Sequence, residues 1–537
     1  VVTKRPTDEF EVSGKVYWGE GSTFDGLATL SGPIVDNVQF RTSVFYTNSD
    51  GVIPNTGTNG KVDFRDEIVW RGALHIQPTE NIDVELRAAY TDGEHGALTL
   101  VPVTTAQFDD FSILPSTNIE GVDERKIQSY SAKGDIDLDA FTVTSITGYN
   151  DADQSLFGDG DFSAAPTFAQ DWRTDSRAFN QEFRLSYDDS GALRWLVGAF
   201  YQDRKISDYT AFGEETADGG LDLNGATLIH NVMKSKSWAL FGQASYDITD
   251  AIELTLGLRY DRDKQSVVDL YTANSHVKHP FKELQPKVSL SYQVNDDIMT
   301  YATYARGFRT GGFNPISQFA GRIYENEVAD NFELGVKSEY LGGRLMVNAA
   351  VFHIAFDNQQ FFFSRATDQG VFRNIINIPQ TKINGVEVEV AARPFDNLLL
   401  RGSLGYNDTE IDDFDGTNLY KGNRTPQVND LTASLSADFN YPIADGMDFI
   451  AHADYERRGS VYWDIENTLE TPGKDFVNIR VGVETDNWTL ALVGRNVTNE
   501  RTPGAVGADA FGPGLHLRGP NRPRTWGGEV RFPFYGP

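Results

Sequence analysis

The chain has no cysteine, although it is 537 residues long. Disulfide bonds, thiolate metal ligands and thiol nucleophiles are therefore all excluded, and a long chain without cysteine fits an oxidising envelope compartment. The sequence also lacks any apolar run of about 18 residues or more, which argues against transmembrane helices. This does not exclude membrane-spanning β-strands, because their alternating apolar and polar residues average out in any sequence window.

Positive charge is scarce as well. Asp and Glu total 77 against 47 Lys and Arg, which gives a formal net charge of −30. A nucleic-acid partner is therefore not expected, since phosphate binding needs a basic surface. No G-x-S-x-G elbow, P-loop, H-E-x-x-H or strand-to-helix G-x-G-x-x-G motif occurs, and adjacent acids such as Asp109-Asp110 are interpreted as solvated loop charge. We predict that the protein is not an enzyme and needs no cofactor.

Residues that could ligate a metal occur in two short stretches, TDGEHG around Glu94 and DADQSLFGDGD at 151–161. Oxygen-rich loops can bind calcium, but the second stretch lacks the fixed Gly and the closing Glu of an EF-hand. His353 and Asp357 share a strand face, yet two ligands do not make a site. We predict no metal held by the protein itself. An iron chelate, in which a small molecule supplies every ligand, would leave no such signature.

The most informative stretch is Met299–Pro315, which reads MTYATYARGFRTGGFNP. Its first half alternates with a period of two, as in a β-strand. The two faces carry Thr300, Ala302, Tyr304 and Arg306 on one side and Met299, Tyr301, Thr303 and Ala305 on the other. Glycines and Asn314-Pro315 then predict a loop. Tyrosine on both faces, with arginine at the far end, is typical of a strand with lipid outside and water inside.

The same unit recurs along the chain: a strand of about ten residues, a tight turn, a second strand and a long polar loop. Apolar alternation is clearest at 252–261, 431–440 and 477–484, where each charged residue falls on one parity. A charge on the lipid face near the membrane centre costs about 2–4 kcal/mol, which would enforce this separation. Counting hairpins gives about 22 strands, a number typical of plugged outer-membrane transporters.

Short turns rich in Asp, Asn and Gly alternate with long stretches such as 205–231 and 357–373. We therefore predict an all-β fold, a transmembrane antiparallel up-and-down β-barrel of about 22 strands. Aromatic residues at strand ends, including Tyr17, Trp18 and Trp238, predict an interfacial girdle. The alternative, a string of soluble β-sandwiches, predicts domain linkers and strands of five or six residues, and no linker is found.

Four segments in the same order resemble the TonB-dependent outer-membrane receptors. They are Tyr301–Pro315, QEFRLS at 181–186 with WLVGAFY at 195–201, GRNVTNE at 494–500, and the closing strand at 522–534 with Gly527, Val530 and Phe532. By this resemblance, residues 1–8 are the end of an N-terminal plug domain and its junction, and residues 9–537 are the transmembrane β-barrel domain. The plug itself is expected upstream in the precursor or as a separate polypeptide, since a barrel this wide would otherwise leak.

The resemblance implies a receptor in the bacterial outer membrane, surrounded by outer-membrane lipid. It would bind a large, scarce solute and import it when TonB acts on the plug. A ferric siderophore is the default substrate, with cobalamin and oligosaccharide left open. A passive plugless channel is the rival from another functional class, and a structural or adhesive protein is third.

Ligand contacts are expected in the outer loops, because loops commonly carry function. Aromatic and arginine side chains there suit a bulky, partly anionic chelate. The predicted ligand-binding residues are Arg309, Phe313, Asn314, Phe361, Phe362, Phe363, Tyr462 and Trp463. For each of them, a role in the girdle or in loop packing is the favoured alternative. The segment 309–314 matches a motif shared across the family and is expected to set loop conformation, whereas the triple Phe is the better candidate for a substrate contact.

Overall fold

The computed structural model describes residues 4–316, 320–367, 370–414, 416 and 418–535. These residues form one 3-10 turn at Thr105–Gln107 and 29 strands. In chain order the strands are β1 (Glu11–Gly19), β2 (Thr23–Val35), β3 (Val38–Ser49), β4 (Arg65–Thr79), β5 (Ile82–Gly96), β6 (Val101–Thr104), β7 (Val122–Leu138), β8 (Phe141–Asp159), β9 (Phe168–Tyr187), β10 (Leu193–Glu214), β11 (Thr227–Thr249), β12 (Ile252–Asp269), β13 (Val277–Asn295), β14 (Ile298–Arg309), β15 (Gly312–Phe313), β16 (Ile323–Tyr324), β17 (Glu327–Tyr340), β18 (Leu345–Thr367), β19 (Gly370–Phe395), β20 (Leu398–Asp413), β21 (Leu431–Ala444), β22 (Met447–Arg458), β23 (Val461–Tyr462), β24 (Glu470–Thr471), β25 (Lys474–Thr485), β26 (Thr489–Arg495), β27 (Pro503–Gly507), β28 (Leu515–Pro520) and β29 (Thr525–Tyr535). None of the described residues belongs to a helix with the length and hydrophobicity needed to cross a membrane.

Twenty-two of these strands form a single closed antiparallel barrel, which confirms the predicted fold and strand number. The barrel closes where β1 pairs with both β2 and β29; Val16, for example, lies opposite Gly26 on one side and Val530 on the other. Closure leaves no unpaired sheet edge, so each strand can satisfy its backbone hydrogen bonds inside a lipid bilayer. The remaining strands, β6, β15, β16, β23, β24, β27 and β28, form small sheets in the loops.

The two faces of the barrel wall separate as the alternation predicts. On β12, Leu256 and Leu258 are half exposed on the outer face. On the inner face, Arg259 Nε donates to Asp261 Oδ2 at 2.7 Å. The central strand β14 behaves in the same way: Tyr304 faces outward beside Phe332, whereas the hydroxyl of Tyr301 donates to Glu333 on the inner face. These charged side chains thus face the inside of the barrel, away from lipid.

Short turns, such as Asp250-Ala251 and Asp396-Asn397, gather at one end of the barrel, and the long loops gather at the other. In barrels of this type the short turns face the periplasm and the long loops face outward; we call the loop end the outer end. Trp18 and Trp238 are exposed, as the girdle prediction requires, but the prediction is wrong for Tyr17. Tyr17 is buried on the inner face, where the guanidinium of Arg495 lies 4.7 Å from its ring.

Several strands are longer than expected. Residues 205–231 and 357–373 were predicted as loops, yet β10 continues to Glu214, β11 begins at Thr227, and β18 and β19 extend to Thr367 and from Gly370. Above the bilayer a strand no longer needs an apolar outer face, so the alternation that marks it in the sequence disappears. The backbone ladder between the strands continues without it.

Candidate functional site

The loop after β14 folds against the inside of the barrel. Its short hairpin, β15 with β16, places Phe313 beside Phe281 of the inner face of β13, with ring centroids 6.5 Å apart. Gly311 makes this approach possible, because a Cβ atom there would collide with the Phe281 ring and with the Tyr324 carbonyl. The described parts of this segment, 310–316 and 320–326, are called the inner loop below.

Two side chains attach the inner loop to the barrel wall. Asn314 is almost fully buried; its Nδ2 donates to the carbonyls of Gly321 and Ile375, and its Oδ1 accepts the N–H of Ile375, all at 2.8 Å. Arg322 donates to the carbonyl of Asn314 and, at 3.2 Å, to Asn231 Oδ1 on β11. Burial lowers the pKa of Arg322, which the carboxylate of Asp269 partly offsets. The inner loop therefore bridges β11 and β19.

A cavity of about 290 Å³ lies between the inner loop and the wall formed by β9–β12. The residues used in the argument below are Trp172, Asp208, Asn231, Phe313 and Arg373; together they define the lumen cavity. Trp172 and Asp208 have the parity of the inner face on β9 and β10, opposite to the lipid-facing side chains of those strands. Arg373 reaches the cavity from β19.

The lumen cavity combines a cation, an aromatic face and a carboxylate. The guanidinium carbon of Arg373 lies 3.7 Å from the centroid of the Trp172 ring, a close cation–π contact. Asp208 accepts a hydrogen bond from the Thr174 hydroxyl at 2.9 Å. A few convergent polar groups beside aromatic surface are typical of a small-molecule site. The arrangement can stack an aromatic group and bind both acidic and basic groups of one ligand.

Of the eight predicted contact residues, Phe313 lines the lumen cavity. Arg309 is at the end of β14 and pairs with Glu327, Nη2 to Oε2 at 2.6 Å. Asn314 is buried and hydrogen-bonded, as described above. The other five belong to β18 and to an outer loop, and their role in binding stays a prediction.

The triple Phe lies in the outer part of β18. Phe361 packs against a buried cluster of Ile378, Ile411 and Ile465, whereas Phe362 is 47% exposed. Phe363 is half buried. Of the three, Phe362 is thus the side chain with the most surface open to a ligand.

Tyr462 and Trp463 belong to a short hairpin in the outer loop that follows β22. Tyr462 is half buried in β23, opposite Glu470 of β24. Trp463 Nε1 donates to Thr471 Oγ1 at 2.8 Å, and the ring packs against a buried cluster that contains Val101, Phe108 and Leu469. Packing between outer loops accounts for this tryptophan.

Sequence reasoning missed Trp172, Asp208 and Arg373. The available signal was strand parity: Trp172 shares its face with the inner residues of β9, and Asp208 does so on β10. The outer part of β10 was predicted as a loop within 205–231, and the outer part of β9 was not assigned, so this parity was not followed beyond the bilayer.

Within the described chain, no group of three or more His, Asp or Glu side chains could hold a metal ion.

Comparison with known proteins agrees with this architecture. Residues 69–497 match the family described as "TonB dependent receptor-like, beta-barrel". The chain belongs to the TonB-dependent receptor family. Like other members, it is an outer-membrane protein, and its relatives are transport receptors. Among solved structures, the ferric yersiniabactin uptake receptor FyuA from Yersinia pestis has a TM-score of 0.85 at 18% identity, covering 99% of this chain and 81% of that one. At this identity the likeness shows the fold alone.

Two curated relatives of this TonB-dependent receptor are similar in sequence. The ferric-pyoverdine 358 receptor of Pseudomonas putida is 23% identical over 93% of this chain and 62% of its own length. The ferrioxamine B receptor of Salmonella typhimurium is 26% identical over 57% of this chain and 43% of its own length. The chain thus spans less than two thirds of each of these relatives.

Proposed function

We propose that this barrel is the transport domain of a receptor that imports a ferric siderophore across the outer membrane. Three similar proteins are named for ferric-pyoverdine, ferrioxamine B and ferric yersiniabactin. The observation that carries the proposal for this chain is the Arg373–Trp172 stack in the lumen cavity. Its cation and aromatic surfaces suit a bulky chelate with acidic or aromatic groups, and the chelate itself supplies the iron ligands.

Transport in this proposal depends on a plug domain, joined to the barrel through residues 1–8, and on TonB acting through the plug. The first described residues support this connection. The N–H of Thr7 donates to Ser31 Oγ, a buried side chain of β2, at 3.0 Å, and the guanidinium of Arg5 lies 3.8 Å from Glu85 of β5. Glu85 is also buried and alternates with lipid-facing Leu86, so the segment follows the inner wall.

The alternative functions differ from this proposal in the ligand and the mechanism that they require. A passive plugless channel needs no specific ligand, and none of the named relatives supports it. Uptake of cobalamin or an oligosaccharide keeps the same TonB-dependent mechanism with a different ligand. A non-enzymatic role is part of the proposal, supported by relatives that are named as receptors. A nucleic-acid partner has no support from the net charge or from the relatives.

The test measures binding to the purified protein by quenching of tryptophan fluorescence. The ligand panel contains ferric hydroxamate, catecholate and mixed siderophores, cyanocobalamin and a maltooligosaccharide. For a siderophore that binds, we expect Arg373→Ala to weaken binding about 10- to 30-fold, which corresponds to about 1.4–2 kcal/mol for the loss of a hydrogen bond between the ligand and the charged guanidinium. Arg177→Gln is the matched control, because Arg177 lies on the opposite face of β9 from Trp172 and pairs with Asp151 at 3.2 Å.

Two results would contradict the proposal. If cyanocobalamin or the oligosaccharide binds and no siderophore does, the substrate class is wrong. If a siderophore binds equally well to the wild type and to Arg373→Ala, the lumen cavity is not its site.

A further inference from the structure

Six basic side chains lie together on the outer face of β10–β13, above the membrane-facing surface. They are Lys205, Lys234, Lys236, Arg262, Lys264 and Lys282, called the basic patch below. They share the parity of the lipid-facing residues on the same strands, such as Leu240 and Leu258, which are more than half exposed. The five lysines are all exposed. The basic patch therefore points away from the lumen, into the membrane surroundings.

The patch places like charges directly opposite each other on neighbouring strands. In the barrel register, Lys205 is opposite Lys234, Lys236 is opposite Lys264, and Arg262 is opposite Lys282. Like charges in such cross-strand positions destabilise a sheet. Three consecutive pairs of this kind, in a chain with a net charge of −30, require a compensating anion.

The protein itself supplies little of that anion. Lys236 pairs with Asp203 at 3.1 Å; within the described residues, the other five members of the patch form no ion pair. Elsewhere on the outer face, above the bilayer, several cations are paired. Lys382 lies 3.0 Å from Glu410 and 2.7 Å from Asp412, and Arg457 lies 2.6 Å from Asp475. The patch therefore differs from these paired cations of the outer face.

The height of the patch identifies the anion. Trp238, an exposed aromatic residue of the girdle, lies opposite Arg262, and girdle aromatics mark the level of lipid headgroups. Directly below, on the same strands, the outer face is covered by exposed leucines such as Leu240 and Leu258, which form an apolar surface suited to acyl chains. A ligand that continues from this apolar surface into the patch must have acyl chains below and negative charge above. That is the chemistry of an anionic lipid.

We propose that the basic patch binds the phosphate groups of an anionic lipid headgroup in the outer leaflet. Lysine ammonium groups bind phosphate as point charges, and clustered Lys and Arg at a membrane surface are a general signature of anionic-lipid recognition. The lipid phosphates would neutralise the cross-strand repulsion that the protein leaves unpaired. The site is on the opposite side of the barrel wall from the lumen cavity and is independent of the transported solute.

The test uses the purified protein in neutral detergent, with diphosphoryl lipid A as the probe and native mass spectrometry as the readout. We expect Lys234→Gln/Lys264→Gln/Lys282→Gln to weaken lipid binding at least tenfold. Lys382→Gln, which removes a paired lysine from the same face of the barrel, should bind as the wild type does. Inorganic pyrophosphate should bind at least a hundredfold more weakly than the lipid, because it cannot use the apolar surface.

Thermal unfolding provides a second readout that separates lipid binding from damage to the fold. Without lipid, the triple variant should be as stable as the wild type or more stable, because repulsion has been removed. With lipid A, the wild type should gain several degrees and the variant should not. Equal lipid binding by the wild type and the triple variant would overturn the proposal. Pyrophosphate binding as tight as that of the lipid would replace it with a site for free phosphate.

Discussion

Removing the guanidinium of Arg518 should loosen three outer loops without unfolding the barrel. Arg518 is fully buried in β28, where Nη1 donates to the carbonyl of Phe108 at 2.7 Å and Nη2 to that of Ile113 at 3.1 Å. Its guanidinium carbon is also 4.3 Å from the ring of Phe111. β28 pairs with β6 and β27, and the adjoining buried cluster includes Leu469 of a third loop. One side chain therefore connects loops that are distant in sequence.

The magnitude follows from what Arg518→Met leaves behind. Methionine keeps an unbranched apolar chain but leaves the two buried carbonyls without a donor, at about 1–3 kcal/mol each. Part of this is offset, because burial lowers the pKa of Arg518 and thus disfavours the charged form, and because its Nε–H has no partner among the described residues. We expect a local loss of about 2–3 kcal/mol, or about 30- to 150-fold faster hydrogen exchange in β6 and β28.

Hydrogen exchange followed by mass spectrometry measures this directly, with β12 and β13 peptides as the internal reference. The control is Arg522→Gln, which removes an exposed arginine near β28 that pairs with Asp63 at 3.2 Å; surface pairs contribute only about 0–1 kcal/mol. Less than threefold faster exchange in Arg518→Met would refute the reasoning. Equal acceleration in β12 and β13 would also refute it, since the change would then be global.

Two further predictions concern the loops. Burial lowers the pKa of His516, an effect that Asp509 and Asp464 oppose, and His516 Nδ1 accepts the N–H of Asp509 at 3.0 Å. The stabilising contribution of neutral His516 is therefore complete above the unfolded pKa of about 6.5 and is lost as the pH falls below it. Amide hydrogen exchange in β28, corrected for intrinsic rates, should accelerate as the pH falls from about 7.5 to about 5. The variant His516→Gln should remove this pH dependence. Asn314→Ala should free the inner loop by leaving the Ile375 N–H unpaired, at about 1–3 kcal/mol; limited proteolysis should then cut within 310–326 at least fivefold faster than in the wild type, and an unchanged rate would show that Arg322 alone holds the loop.

The fold could be predicted from the sequence because the bilayer imposes a strong local rule. In β12 and β14 the cost of a charge facing lipid fixes the parity of every residue, so strand number and face could be read from the alternation. The same rule explains the failures. The outer parts of β10 and β18 are free of lipid, their polar residues occur on both faces, and they were taken for loops. Tyr17 was assigned to the girdle because residue type alone does not reveal the face.

The lumen cavity could not be predicted for a different reason. Trp172 and Arg373 belong to β9 and β19, which are not neighbours in the barrel. They meet through the curvature of the wall and through a loop whose position depends on Asn314 and Arg322. No periodicity within either strand encodes that meeting. Local sequence patterns describe individual strands, whereas this contact is a property of the closed sheet.

The lumen cavity and the basic patch both follow from one feature of the barrel wall. Within the bilayer a charge must face inward and find a partner there, as Arg259 does with Asp261. Above the bilayer either face tolerates charge, so an inward cation such as Arg373 can bind a solute and an outward cation such as Lys264 can bind a lipid. Because successive residues of a strand face opposite sides, the two functions can occupy the same level of the wall without sharing a side chain. Substitutions in the basic patch should accordingly leave siderophore affinity unchanged, and Arg373→Ala should leave lipid binding unchanged. If a substitution at one site changed binding at the other, the two faces of the wall would not be independent.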